Sequence, residues 1–397
     1  MNTTPLHITA AHISQIKSPA QFVELLRYLL LAEARANEIA MRGVHVPAQL
    51  TVSDGGEDAR IEWQGGREST DYVPRRVTMF QSKATSMPKG KCLAEVKADD
   101  GTLKPAIRDV LAKGGAYVIF CTDQCTGSRL RDRLDGLEQG IREAAPGEFA
   151  GAKLEFYDAN KIANWVNLHP SVQVWASEQI VGTPTAGFCS WETWSRNPDL
   201  HVSEYSFVPG PLRDNGVPGL AEIMESIAGT AAAPRSVVRV VGLSGLGKTR
   251  LVLEAFRPPT STTLANGDLQ RAALAASVLY VPAAVGRAEL TRAIIGFRDR
   301  QISAVLVVDE CDPDSHRQLS NIVRHADSKM SLVSLDFDLE RVGDDPLVKL
   351  RPVSDEVIRS ILAQAYPGLL EPDVGRITTF AQGFPLMAVG LGRDRLA

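Results

Sequence analysis

The chain has 397 residues, of which 44% are hydrophobic and 23% are charged. This length suits roughly two or three domains, and the composition is that of an ordinary globular protein. The formal net charge of -4 excludes a chain that binds nucleic acid or membranes through its overall charge, so any DNA-binding surface must be a local patch. The amino terminus lacks the basic segment and apolar core of a signal peptide, and no apolar run is long enough to span a bilayer. We therefore expect a cytoplasmic protein that does not interact with membranes.

Residues 1–181 are predicted to form an α/β domain. Apolar residues within 21–40 fall on one broad face, which predicts a helix. Short strands are predicted at 50–52, 59–63, 77–81, 116–121 and 154–156, and further helices at 105–112 and 159–167. Residues 182–235 follow as a connector rich in proline and glycine, interrupted by a short helix at 220–228. The tryptophans of the connector indicate that it packs on another part of the chain.

Residues 236–350 alternate between apolar strands and helices, which favours a parallel sheet covered on both faces. The predicted strands are 237–241, 278–281, 304–308 and 332–335, and the predicted helices are 248–256 and 288–298. Residues 351–397 are predicted to be mainly helical. The fold class is therefore α/β in both halves of the chain.

A glycine-rich segment follows the strand predicted at 237–241 and precedes a helix, which is the context of a phosphate-binding P-loop. The glycines allow backbone N–H groups to turn toward phosphates, and the helix amino terminus adds its positive dipole end. Lys248 is predicted to reach the β- and γ-phosphates of ATP, and Thr249 to ligate Mg²⁺. The predicted nucleotide-binding residues are Gly242, Leu243, Ser244, Gly245, Leu246, Gly247, Lys248, Thr249 and Arg250.

Two acids complete this site in the sequence. The buried strand predicted at 304–308 ends in Asp309 and Glu310. A carboxylate at the tip of a strand beside the P-loop can hold the Mg²⁺ shell, so Asp309 is predicted as a metal ligand. Glu310 is predicted to polarise the attacking water, and the alternative is a solvated acid at a strand end.

These motifs resemble the STAND class of P-loop ATPases, relatives of the AAA+ and NB-ARC proteins. The segment 331–335 is similar to the sensor strand of that class, although the usual terminal Arg or Asn is absent, and 350–355 resembles the segment that leads into its helical lid. Gly383-Phe-Pro385 resembles the GxP motif of the lid, which implies that Pro385 packs near the adenine. The resemblance covers about residues 215–397. Because the winged helix and the sensor that normally follow are missing, we expect a truncated chain.

A second candidate site lies in the amino-terminal domain. Asp58 stands between a glycine-rich acidic turn and a predicted strand, and Gln81 and Lys83 are two residues apart on another strand, so they point to one face. Asp58 is predicted to hold Mg²⁺ at the scissile phosphate, with Gln81 completing the metal shell. Lys83 is predicted to orient or deprotonate water and to stabilise the developing charge. The alternative is a solvated acidic turn beside a strand that ends in lysine.

This pattern resembles the PD-(D/E)xK nuclease superfamily in the variant with Gln as second acid, as in Mrr-like restriction endonucleases. The resemblance implies a restriction-endonuclease-like fold that cuts double-stranded DNA with Mg²⁺. In that superfamily the preceding helix often carries a Glu that faces the site, and Glu24 and Glu33 are the candidates. A modest local excess of positive charge within 83–113 is compatible with a phosphate backbone. No base-reading module is recognisable, so sequence specificity is not predicted.

A nuclease-like domain joined to a STAND ATPase resembles the bacterial antiviral STAND systems. The resemblance implies that a carboxyl-terminal sensor recognises a phage protein, that the ATPase then assembles into a homo-oligomer, and that the nuclease is thereby activated. Two alternatives stay open. One is an NTP-dependent restriction endonuclease that acts on modified foreign DNA, and the other is a nucleotide-gated scaffold or regulator with an inactive nuclease fold.

Overall fold

A computed structural model describes residues 7–46, 57–182, 187–196, 213–214, 217–258, 266–338 and 342–396. The chain divides into two compact units. The first consists of Met1–Thr185 with Pro259–Ala276, and the second of Ala186–Pro258 with Ser277–Ala397. The strand predicted at 50–52 lies outside the described residues. Within the described ranges, none of the helices is both long and apolar enough to cross a bilayer.

The first unit is built on a mixed sheet in the order β1-β2-β3-β4-β5. Its strands are β1 (Val44–His45), β2 (Ala59–Glu62), β3 (Val77–Lys83), β4 (Ala116–Cys121) and β5 (Lys153–Tyr157). The pairs β1–β2 and β2–β3 are antiparallel, whereas β3–β4 and β4–β5 are parallel. The structure confirms the strands predicted from apolar runs in this unit, apart from small differences at their ends.

Helices cover both faces of this sheet. They are α1 (Ala10–Ser14), α2 (Pro19–Ala36), α3 (Lys89–Glu95), α4 (Pro105–Ala112), α5 (Gly127–Ala144), α6 (Ala159–Leu168) and α7 (Pro170–Ala176). One buried cluster joins Phe80 of β3 to apolar side chains of α2, α6 and α7. Another joins Met79 of β3 to those of α3, α4 and α5. Because neighbouring side chains of a strand point to opposite sides, these clusters mark the two faces of the sheet.

The helices α3 and α5 approach each other closely through two glycines. A methyl group on Gly136 would lie 2.6 Å from the carbonyl oxygen of Lys89, and one on Gly140 would lie 2.5 Å from that of Leu93. Any larger residue at these positions would therefore push the helices apart. Neither helix was predicted from the sequence, because glycines rather than a stripe of large apolar side chains form much of this contact.

The second unit contains a five-stranded, entirely parallel sheet in the order β12-β8-β11-β10-β9. Its strands are β8 (Val237–Val241), β9 (Val278–Val281), β10 (Val305–Val308), β11 (Ser331–Asp336) and β12 (Leu347–Lys349), and a two-stranded ribbon, β6 (Arg213–Asp214) with β7 (Val217–Pro218), precedes them. The predicted parallel sheet is confirmed. Within this sheet β11 lies between the P-loop strand β8 and β10, the strand that leads to Asp309.

The remaining helices are α8 (Trp191–Ser195), α9 (Leu220–Ala232), α10 (Lys248–Ala255), α11 (Asn266–Ser277), α12 (Arg287–Asp299), α13 (Pro313–Val323), α14 (Asp355–Ala365), α15 (Glu371–Ala381) and α16 (Pro385–Leu396). The described part of the segment predicted as a connector packs on the second unit. Trp191 Nε1 donates to the carbonyl oxygen of Leu253 at 3.0 Å, and the rings of Trp194 and Tyr280 stack with centroids 4.4 Å apart. The last three helices, α14 to α16, form a small core of their own.

Candidate functional site

The P-loop joins β8 to α10 in the second unit. Gly245 and Gly247 both have a φ of +85°, a left-handed conformation that glycine adopts without steric cost. Lys248 Nζ donates to the carbonyl oxygens of Gly242 at 2.7 Å and Leu243 at 3.1 Å. Burial lowers the pKa of Lys248, while the carboxylates of nearby acids raise it. The loop thus encloses an ammonium group at the amino end of a helix.

The residue after β10, Asp309, contacts the first turn of α10, although β10 is not a neighbour of β8, the strand that precedes α10. Thr249 Oγ1 donates to Asp309 Oδ2 at 3.1 Å, and the phenol of Tyr280 donates to the same oxygen at 2.9 Å. Burial and then the charge of Asp309 raise the pKa of Tyr280, so its hydroxyl stays a donor. A hydroxyl and a carboxylate are ligands that Mg²⁺ prefers, and the two side chains therefore fit the predicted metal. Tyr280 was not predicted from the sequence, because it lies within the apolar strand β9 and belongs to no recognisable motif.

Glu310 stands exposed beside this cluster. Its φ of +47° is left-handed, which is uncommon for a residue with a side chain and is often associated with functional sites. A cleft of about 210 Å³ between α12 and α13 has Asp309 and Glu310 in its wall. Glu310 is therefore accessible to water from this side.

A buried ion pair lies beneath the site. Arg239 in β8 is 1% exposed, and its Nη2 lies 2.8 Å from Oδ2 of Asp336 at the end of β11. Arg239 Nη1 also donates to the carbonyl oxygen of Cys311 at 3.0 Å. One guanidinium thus ties the P-loop strand to the ends of β11 and β10. An arginine inside an apolar strand is the signal that could have revealed it, since such a charge requires a partner.

The segment with the predicted GxP motif contacts the P-loop directly. The N–H of Leu386 donates to the carbonyl oxygen of Gly245 at 3.2 Å, and Phe384 Cδ1 lies 3.7 Å from where a side chain on Gly245 would begin. Gly383, with a φ of +77°, accepts from the N–H of Val353 at 2.9 Å. Pro385, the first residue of α16, is therefore brought to the P-loop.

The other predicted nucleotide-binding residues take different positions. Leu243 and Ser244 are exposed at the outside of the loop, whereas Leu246 is buried beneath it. Arg250 Nε lies 2.7 Å from Glu254 Oε1 within α10. Arg250 is therefore engaged along the helix.

The residues of the second candidate site meet at the carboxyl end of β3 in the first unit. Asp58 directly precedes β2, where its N–H donates to the carbonyl oxygen of Phe80 at 3.2 Å and its Oδ2 accepts from the N–H of Ser82 at 2.8 Å. Residues two apart in a strand share a face, so Gln81 and Lys83 lie with Met79 on the face covered by α3, α4 and α5. Asp58 is held at the same end of β3 through Ser82.

An acid that the sequence analysis did not single out joins these residues. Glu95, the last residue of α3, accepts from Gln81 Nε2 at 2.7 Å, and its other oxygen lies 2.9 Å from Lys83 Nζ. Lys104 Nζ lies 2.8 Å from Glu95 Oε1. Burial raises the pKa of Glu95, but hydrogen bonds and the charges of the two lysines lower it by more, so the pKa lies below its ordinary value. Glu95 escaped notice because it lies on a helix that was not predicted.

The helical acids proposed from the sequence do not face this site. Glu33 is 4% exposed and accepts from Trp165 Nε1 at 2.9 Å, with His169 Nε2 at 3.1 Å. These contacts belong to the opposite face of the sheet, where α2 packs. Glu24 lies on the same helix and pairs with Arg27. The prediction of Glu24 or Glu33 as the helical acid was therefore wrong, because periodicity does not tell which face of a sheet a helix will cover.

Carboxylates are few at this face. Across the described part of the chain, no group of three or more His, Cys, Asp or Glu side chains is arranged to hold a metal ion. Mg²⁺ is commonly held by one or two carboxylates together with water and substrate phosphate. The site with Asp58 therefore fits a Mg²⁺ ion held by one or two carboxylates together with water and substrate phosphate, and not one enclosed by protein ligands alone.

No protein-family model and no curated protein matches the chain. Among solved structures, it is similar to PCH-2 of C. elegans over 45% of this chain and 68% of that chain, with 11% identity and a TM-score of 0.29. A Signal Transduction ATPase with Numerous Domains (STAND) protein with a tetratricopeptide repeat sensor from Pyrococcus horikoshii shares 14% identity over 47% of this chain and 30% of its own, with a TM-score of 0.29. The Aeropyrum pernix ORC2 protein shares 13% identity over 52% and 65%, with a TM-score of 0.30. At these scores the similarities decide nothing about this chain, so its sites stand on their own geometry.

Proposed function

We propose that the chain is a nucleotide-dependent switch that binds and hydrolyses ATP at the P-loop of the second unit. The observation that carries this proposal is the meeting of Lys248, Thr249 and Asp309 at the carboxyl ends of parallel strands, where such sheets bind their ligands. In this arrangement Lys248 and the loop N–H groups would bind the β- and γ-phosphates. Thr249 and Asp309 would hold Mg²⁺, which neutralises phosphate charge when bound. Glu310 would orient the attacking water.

The contact between the P-loop and α16 supports a switch rather than a simple hydrolase. Leu386 donates its N–H to Gly245, a residue whose own N–H is expected to turn toward phosphate. A movement of the P-loop on nucleotide binding would therefore displace the first turn of α16, which is hydrogen-bonded to it. Helices α14 to α16 share one small core, so they would respond together.

The test of this proposal is Lys248→Ala. Removing the ammonium group that the loop encloses should weaken binding of Mg²⁺-ATP by about 100-fold or more, since a charge-assisted contact to phosphate is lost. Isothermal titration calorimetry measures this change. Lys329→Ala, at the opposite end of the sheet, is the matched control and should bind ATP as the parent does. Equal affinity in the Lys248 variant and the parent would remove the ATPase proposal.

We propose as a second activity that the first unit is a Mg²⁺-dependent nuclease acting on double-stranded DNA. It is supported by Asp58, Gln81 and Lys83 meeting at the carboxyl end of β3, where Asp58 accepts from the N–H of Ser82. Together with the resemblance to antiviral STAND systems, this suggests an antiphage defence protein. A phage protein would be its trigger and a homo-oligomer its active form.

The nuclease proposal is tested with Asp58→Ala and Lys83→Ala. Each should lower DNA degradation in phage-challenged cells by about 100-fold or more, because each removes a group that acts on the scissile phosphate. The double variant should be little worse than either single one, since both residues serve one step. Lys153→Ala, which removes a surface lysine paired with Glu155 and outside the basic segment 83–113, is the control. Normal degradation in both single variants would leave the scaffold alternative.

A further inference from the structure

The proposed nuclease centre has an amide where a second acid would bind a cation more strongly. Gln81 is 3% exposed, and both ends of its side chain are engaged. Its Nε2 donates to Glu95 and its Oε1 accepts from the hydroxyl of Tyr117. An ionised carboxylate only accepts hydrogen bonds, so Glu95 fixes the amide with its nitrogen toward the carboxylate. The amide oxygen is thereby committed to Tyr117 and is poorly placed to serve as a metal ligand.

We propose that Glu95 is the second acid of the Mg²⁺ site, and that it binds the cation together with Asp58. This inference rests on the proposed nuclease function. It assigns the metal to the end of α3 and reduces Gln81 to a residue that positions Glu95. Glu95 lies 2.9 Å from the ammonium group of Lys83, so a cation held by Glu95 would be next to the group proposed to act on water.

The surroundings of Glu95 favour a cation. As the last residue of α3, its carboxylate stands at the negative end of the helix dipole, an unfavourable place that a positive partner offsets. Two lysines fill that role in this structure. Asp58 Oδ2 accepts from the N–H of Ser82, and Glu95 contacts the side chains of Gln81 and Lys83, the residues on either side of Ser82. Both carboxylates are therefore held at the same end of β3.

The lysines have a second use in this arrangement. Lys83 and Lys104 are 24% and 21% exposed, so both can turn toward a bound phosphate. Glu95 would exchange these contacts for the cation, leaving Lys83 to face the scissile phosphate and Lys104 to face the DNA backbone. The close packing of α3 on α5 through Gly136 and Gly140 would hold the carboxylate in place during the exchange.

The experiment exchanges the two side chains. In the full chain carrying Asp309→Ala, which removes the predicted metal ligand of the nucleotide site, Mn²⁺ binding is measured by electron paramagnetic resonance. Glu95→Gln should lower the Mn²⁺ affinity about tenfold or more. Combining Glu95→Gln with Gln81→Glu returns an acid to the same contact, and should restore the affinity to near that of the parent.

Two controls separate the possible outcomes. Asp58→Asn should abolish Mn²⁺ binding, and Glu143→Gln, which removes a carboxylate paired with Lys97 outside the cluster, should not change it. Loss of binding with Asp58→Asn but not with Glu95→Gln overturns the role of Glu95 and leaves the nuclease proposal standing. Absence of binding in the parent, or no effect of either variant, overturns both.

A purely structural role for Glu95 gives a different result. In that case Glu95→Gln lowers the melting temperature while Mn²⁺ affinity stays at the parental value, and this overturns the proposal. If Glu95→Gln alone does not fold, the proposal is tested with the variant that combines Glu95→Gln and Gln81→Glu, because this variant keeps one carboxylate and one amide in contact. A folded exchanged variant that fails to bind Mn²⁺ also overturns the proposal.

Discussion

His316 shows how a single buried residue connects the elements behind the nucleotide site. It is fully buried on α13, with Nδ1 2.7 Å from Ser334 Oγ of β11 and Nε2 2.9 Å from Asp345 Oδ2 before β12. An ionised carboxylate can only accept hydrogen bonds, so His316 Nε2 carries the proton and donates to Asp345, and Nδ1 accepts a hydrogen bond from the hydroxyl of Ser334. Burial and then the charge of Arg239 lower the pKa of His316 to about 4. The imidazole is therefore neutral in the folded protein at neutral pH.

This neutral histidine predicts a pH dependence of stability. The unfolded chain binds a proton at His316 below its ordinary pKa of 6.5, whereas the folded chain does so only near 4. The contribution to stability is thus complete above pH 6.5 and is lost as the pH falls toward 4, by up to about 3 kcal/mol. His316→Gln should be less stable than the parent at pH 7.5 by about 1–3 kcal/mol, and its stability should fall less steeply between pH 6.5 and 4.

Urea unfolding at several pH values in this range tests the prediction. The quantity compared is the difference in unfolding free energy between variant and parent, because other groups titrate equally in both. His325→Gln, at a half-exposed histidine just beyond α13, is the control and should follow the parent. If the difference in unfolding free energy between the His316 variant and the parent is the same at every pH, His316 does not cause the pH dependence of stability.

At the scale of elements, apolar runs and motifs predicted most strands and the helices around the P-loop. They could not predict the strand order, since periodicity describes one segment and not its neighbours. The strand that leads to Asp309 is separated from β8 by β11. Asp309 nevertheless reaches Thr249 because all these strands are parallel and their carboxyl ends meet at one edge. The residues of the site were therefore predictable although the order was not.

The proposed nuclease centre shows which residues the sequence could not predict. The shared face of Gln81 and Lys83 followed from the two-residue period of a strand. Their partner Glu95 did not, because it depends on how α3 packs, and that packing uses Gly136 and Gly140 rather than large apolar residues. Arg239 was missed for a similar reason, since its acid partner lies at the end of a strand far along the chain.

At the scale of the molecule, the two candidate sites lie in separately packed units. Asp58, Gln81 and Lys83 lie beside the clusters of the first unit, and Lys248 and Asp309 belong to the second. A polar substitution in one site should therefore leave the other unit folded. The net charge of -4 gives the chain no general attraction to DNA, so the proposed cleavage would depend on the local site.

This separation predicts an asymmetry between the two sites. If the nucleotide switch controls the nuclease, Lys248→Ala should lose both ATP binding and DNA degradation in phage-challenged cells. Asp58→Ala should lose degradation only, and the purified variant should bind ATP with the affinity of the parent. The two measurements are calorimetry on purified protein and recovery of intact DNA from the cells.

Other combinations point to different proteins. DNA degradation that persists at the parental level in Lys248→Ala would mean that the nuclease works without the switch, as in a plain restriction enzyme. Protection from phage that persists in Asp58→Ala but not in Lys248→Ala would mean that the ATPase acts without DNA cleavage, as in a nucleotide-gated scaffold. Only loss in both variants, with ATP binding retained in Asp58→Ala, agrees with a nuclease placed under nucleotide control. That pattern is the one expected if the two units have separate cores and the nucleotide site controls the nuclease site.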